Sequence, residues 1–125
     1  DETTVQRVVA CSGKVYFDLA NARQQRGIKD IALVRIEQLY PFPREEFSAE
    51  LARYPHASEL VWAQEEPQNQ GAWFAIGHHL RECMIAGQAL NYAGRPFAAS
   101  PAVGYPEVYE AQRRALLDEA LKHVD

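Results

Sequence analysis

The sequence predicts an α/β fold, a three-layer α/β/α unit with a mostly parallel sheet. Two observations carry this. Short apolar runs alternate with helical patterns four times along the chain, and parallel strands need such crossovers. The first run is apolar without a break and the second nearly so, as strands covered on both faces are, rather than alternating with polar residues.

The first strand is Val8-Val9-Ala10-Cys11, stopped by Ser12-Gly13. Ser12 is the expected N-cap of a helix from Lys14 to Arg26, with Tyr16, Leu19, Ala20 and Arg23 on one side and Gly27 as its stop. The second strand, Ile31 to Ile36, runs into Glu37-Gln38-Leu39-Tyr40-Pro41-Phe42-Pro43, where two prolines force an extended crossing. A helix from Arg44 to Arg53 follows, with Pro43 suited to its first turn. The third strand is Leu60 to Gln64, ended by Glu65-Glu66-Pro67-Gln68-Asn69-Gln70-Gly71. Trp73, Ile76, Leu80 and Cys83 or Met84 then recur at helical spacing from about Gly71 to Ala86. Leu90 to Ala93 is a fourth, shorter strand, and Gly94 to Gly104 a proline-rich loop. The last helix is expected from Pro106 to His123. Val108, Ala111 and Ala115 line one side of it, while Leu116, Leu117, Ala120, Leu121 and Val124 lie on another, so it should meet two surfaces.

The 125 residues suit a single domain, 1–125, with 47% apolar and 24% charged residues. A net charge of -4 offers no positive field for a nucleic-acid backbone or an anionic membrane, and no apolar run approaches a bilayer span. Cys11 and Cys83 sit in apolar surroundings and read as two buried reduced thiols. The chain starts at Asp1 and its only methionine is Met84, so it is expected to be a fragment of a larger multidomain chain.

In a sheet of this kind ligands and partner domains meet the carboxyl ends of the strands. Ser12-Gly13-Lys14 there lacks the remainder of a phosphate-loop pattern and reads better as a helix cap. His78, His79, Glu82 and Cys83 include i, i+4 pairs, but adjacent histidines point about 100° apart on a helix, and solvated or inter-domain histidines are the expectation. His56 and His123 stand alone. Glu65 and Glu66, consecutive on a strand, should point oppositely and not share a substrate. No serine lies in a nucleophile elbow. Arg35 interrupts a buried strand, and is expected to pair with Glu37, Glu65 or Glu66 at the rim, with contact to another domain or an anion as the alternative. Lys14 and Arg95 could join it in an anion site.

Three stretches, Arg35 to Pro43, Trp62 to Trp73, and Tyr92 to Gly104, resemble the C-terminal end of 2-oxoglutarate dehydrogenase, and Val9 to Tyr16 fits as well. The resemblance covers the chain in order. It implies the transketolase C-terminal-domain fold. For the full enzyme it implies oxidative decarboxylation of 2-oxoglutarate on thiamine diphosphate and magnesium, and transfer of succinyl to the lipoyl arm of a partner acyltransferase in the tricarboxylic acid cycle. The implied partners are the remaining domains of the chain, a second subunit of a homodimer and that acyltransferase. The compartment would be the cytoplasm in a bacterium or the mitochondrial matrix in a eukaryote. The family's G-D-G…N-N magnesium and diphosphate signature is absent, so the chain alone is expected to hold no cofactor and no catalytic residue. A structural, dimer-supporting and regulatory role remains. Some relatives respond to nucleotides or acetyl-coenzyme A, which makes Lys14, Arg35, Arg95 and Ser100 the candidate rim or effector residues. A free-standing flavodoxin-like module, or the equivalent domain of pyruvate dehydrogenase or transketolase, are the alternatives.

Overall fold

The computed structural model describes residues 1–95 and 106–123. Four strands alternate with four helices: β1 Arg7–Cys11, α1 Val15–Gln25, β2 Ile31–Arg35, α2 Arg44–Ala52, β3 Glu59–Pro67, α3 Trp73–Cys83, β4 Ala89–Arg95 and α4 Pro106–Ala120. The sheet order is β2-β1-β3-β4, and every neighbouring pair is parallel.

The two faces follow from the handedness of the crossovers. The chain steps from β1 outward to β2, then reverses across β1 to β3 and on to β4. α1 therefore covers one face, and α2 and α3 the other. Alternate strand residues divide accordingly. Val8, Ala10, Leu60 and Trp62 pack with Phe47 and Leu51 of α2 and Ile76 and Leu80 of α3. Val9, Cys11, Val61 and Ala63 pack with Val15 and Leu19 of α1, and with Leu116, Leu117, Ala120 and Leu121 at the end of α4. All five residues of β1 are buried, because both faces are covered and β1 lies inside the sheet.

Several expectations are corrected. Ser12 does not cap α1: Lys14 occupies the cap position, and no side chain there bonds the helix. The buried stripe of α1 is Val15, Leu19 and Ala22 rather than Tyr16, Leu19, Ala20 and Arg23, since α1 sits squarely on the sheet and turns those neighbours to its flank. Gly27, at φ +66°, does end the segment, in a conformation that glycine adopts without a Cβ clash. β3 continues three residues past Gln64. Its pairing with β4 shifts register between Gln64 and Pro67, so a bulge carries Glu65 and Glu66 and lets a proline, which has no N–H to give, remain in the strand. Gly94 sits where that bulge crowds β4. A Cβ there would lie 2.8 Å from the Gln64 carbonyl oxygen and against the Tyr92 hydroxyl.

Arg7, at the first position of β1, is 2% exposed, and nothing in its sequence context marks it. Its Nε and Nη2 donate to Glu59 Oε1 at 2.6 and 2.5 Å. Its Nη1 donates to the carbonyls of Glu119, Ala120 and Lys122 at 3.3, 3.2 and 2.8 Å. The guanidinium thus satisfies the open carbonyls at the end of α4 and fixes that helix to the sheet.

Candidate functional site

The carboxyl ends of β1 and β3 form the switch point of the sheet, because the chain leaves β1 toward β2 and leaves β3 toward β4. A crevice of about 360 Å³ opens there, lined by Ser12, Gly13, Tyr40, Trp62, Gln64 and Gly71 among others. Gln64, 3% exposed, builds its wall. Its Oε1 accepts from Trp62 Nε1 at 2.9 Å and from the Trp73 backbone N–H at 3.2 Å. Its Nε2 donates to the carbonyls of Glu66, Pro67 and Gln70 at 3.1, 2.9 and 2.8 Å. One side-chain amide therefore shapes the whole β3–α3 connection. Gly71, at φ +66°, lets that loop turn closely over it. The signal in the sequence was a polar residue at the end of an apolar run, the same signal that singled out Arg35.

The candidate rim residues do not form a single cluster. Lys14 is exposed at the start of α1, and Arg35 is exposed at the end of the adjacent β2. Arg95 ends β4, at the opposite edge of the sheet from Arg35. Three inter-strand spacings, about 14 Å, separate the two strands. Ser100 lies outside the described residues. The expected buried ion pair of Arg35 is not formed: its guanidinium stands in solvent, 5.1 Å from the centre of the Phe17 ring and 5.9 Å from that of Tyr16. Position explains this, because Arg35 is the last residue of an edge strand, where a cation can stack on aromatic faces and stay hydrated. Arg95 is the buried one, 7% exposed, with its guanidinium 4.2 Å from the Tyr109 ring centre. Its Nε has no hydrogen-bond partner among the described residues. Its carbonyl accepts from the Tyr92 hydroxyl at 3.1 Å.

Neither thiol is placed for nucleophilic chemistry. Burial pushes the Cys11 thiol up to about 12, against a smaller lowering by Arg35, and Cys83 is buried with its Sγ 3.6 Å from the Arg44 carbonyl. The paired histidines are closer than helix geometry led us to expect. The rings of His78 and His79 lie 3.9 Å apart between centres, and the second stacks on Phe42 at 5.0 Å and 7°.

Of the six large apolar side chains exposed among the described residues, five lie on segments that start at the carboxyl rim: Phe17, Tyr40, Phe74, Val108 and Tyr109. On α4, Val108, Ala111 and Ala115 are exposed while Leu116, Leu117, Ala120 and Leu121 are buried against the sheet, so one of the two expected surfaces is met within this domain.

A doubly wound parallel sheet of this order, with helices on both faces, defines the chain as a three-layer α/β domain. A solved structure titled "Split gene transketolase, inactive beta4 tetramer" superposes with a TM-score of 0.60 over 93% of this chain and 38% of that one, at 20% identity, which speaks to the fold alone. The family model described as 2-oxoglutarate dehydrogenase C-terminal matches residues 1–121, and the chain belongs to that family. The 2-oxoglutarate dehydrogenase E1 component of Cupriavidus necator is 57% identical over 116 residues, 93% of this chain and 12% of that protein. Those of Coxiella burnetii and Haemophilus influenzae are each 49% identical, over 98% and 97% of this chain and 13% of their own lengths. The chain thus spans about one-eighth of the length of these curated relatives.

Proposed function

We propose that this chain is the C-terminal structural domain of a 2-oxoglutarate dehydrogenase E1 component, one that packs against the rest of its polypeptide and supports a homodimer. The observation that carries this is the family match over residues 1–121, set beside relatives about eight times as long. The whole enzyme would oxidatively decarboxylate 2-oxoglutarate on thiamine diphosphate and pass succinyl to the lipoyl arm of its partner acyltransferase. In a bacterium, as in the named relatives, it would work in the cytoplasm.

Thiamine diphosphate with magnesium does not fit the residues of this domain. Magnesium takes oxygen donors, whereas the three-donor group formed among the described residues, His78, His79 and Glu82, is rich in imidazole. We propose that the domain alone neither binds the cofactor nor decarboxylates. Calorimetric titration of the 125-residue chain with thiamine diphosphate and magnesium tests this; saturable micromolar binding overturns it.

The carboxyl rim is the surface that meets the preceding domains. Its support is the gathering of exposed Phe17, Tyr40, Phe74, Val108 and Tyr109 along one edge, since a free-standing domain would cover such side chains. In the full-length protein, Phe74→Glu is expected to weaken assembly in analytical ultracentrifugation while leaving the fold of the domain unchanged by circular dichroism. An effector role for Lys14, Arg35, Arg95 and Ser100 belongs to the same edge. The topology favours two separate points, Lys14 with Arg35 and Arg95 alone. Effector responses of the full enzyme that survive Arg95→Ala intact count against the second.

A further inference from the structure

On the exposed side of α3, away from the rim and its crevice, His78, His79 and Glu82 place one ligand atom each within 4.8 Å of the others. The Arg44 guanidinium of α2 already sits against this group. Its Nη1 lies 2.9 Å from Glu82 Oε2, and its Nη2 lies 3.1 Å from His79 Nδ1. We propose that these three side chains are a binding site for a divalent transition-metal ion of the zinc class, and that Arg44 is the cation that occupies it when no metal is present.

The donor set is the first reason. Two imidazoles and one carboxylate suit zinc, copper or nickel, and leave an open position for water. Distance is the second. Nitrogens and oxygens held about 2.1 Å from one tetrahedral ion lie about 3.4 Å from each other, so donors already within 4.8 Å need to close by little more than an ångström. Rotation of the exposed His78 and Glu82 side chains supplies that without moving the helix. Support for the ligands is the third. His79 is half-buried and stacked on Phe42, which holds its ring plane. The competing contact is weak by comparison. The Arg44–Glu82 pair is about half exposed on both sides, and exposed ion pairs of that kind contribute little, so a chelated ion displaces the guanidinium easily. Cys83 is not a member: it is buried, with its Sγ against the Arg44 carbonyl.

The experiment is calorimetric titration of zinc chloride into the full-length protein and its His78→Ala, Glu82→Gln and Arg44→Ala variants, with visible absorption of the cobalt(II)-loaded forms as a second readout. The parent is expected to bind one equivalent per chain that the first two variants lose or bind at least about tenfold more weakly. The intense cobalt bands of a four-coordinate site should be lost with it. Arg44→Ala is expected to tighten binding several-fold. Equal stoichiometry and affinity in the parent, His78→Ala and Glu82→Gln overturns the site. Binding by Arg44→Ala no tighter than the parent's overturns the displacement of the guanidinium. Both results are independent of whether the rim meets the preceding domains.

Discussion

Two buried polar side chains, Arg7 and Gln64, hold more of this molecule together than their place in the sequence suggests. Arg7→Met keeps the length of the side chain but takes the cation from Glu59, which retains only the Asn91 amide, and a donor from three carbonyls at the end of α4, and should destabilise the fold by about 3 kcal/mol in urea denaturation. Gln64→Leu removes the acceptor of Trp62 Nε1 and one donor from each of three loop carbonyls, and a loss of about 3 kcal/mol is expected, with the near-ultraviolet signal of the tryptophans changed as the loop loosens. Cys11 makes a pH prediction. Its folded thiol titrates near 12 against an ordinary value of 9.0, so the unfolded chain loses its proton first and gains stability from doing so. The contribution of Cys11 is complete below pH 9 and is lost as pH rises toward 12, at about 1.4 kcal/mol per pH unit. Tyr92, raised by burial from 10.0, acts in the same direction. Cys11→Ala should flatten the alkaline limb of the stability profile.

At the scale of the element, the bulge in β3 and the glycine opposite it act together. Gly94→Ala places a methyl group 2.8 Å from the Gln64 carbonyl oxygen and against the Tyr92 ring and hydroxyl, so a cost of about 2 kcal/mol and a looser β3–β4 edge in hydrogen exchange are expected. α4 divides along its length. Its last turns are anchored by Leu116, Leu117, Ala120 and Leu121 and by Arg7, whereas Val108, Ala111 and Ala115 face solvent. Val108→Ser should therefore change the stability of the 125-residue chain by less than about 0.5 kcal/mol, and any larger effect, read in the full-length protein, would belong to assembly. The strand centres and the first three helices were legible because apolar runs and helical spacing report burial directly. Strand ends were not: β3 ran on through Glu65, Glu66 and Pro67 because pairing with β4 and a bulge outweighed local signals that a strand should stop.

For the whole molecule, the residue pattern by itself determined the α/β class, the parallel crossovers, the two-faced core and the family, since each depends on the order of apolar segments or on long local stretches such as Trp62 to Trp73. What the tertiary structure alone decided is which charged groups are inside and which meet. Arg35 looked buried and stands in solvent. Arg7, which no local pattern singles out, is enclosed, and Lys14 and Arg95 sit at rim positions that strand order keeps apart. The physical reason is that burial of a charge depends on partners from distant segments. The carbonyls that satisfy Arg7 are more than a hundred residues away along the chain, and Arg44, which sits against the histidines of α3, belongs to the preceding helix. Periodicity along one segment carries no information about either.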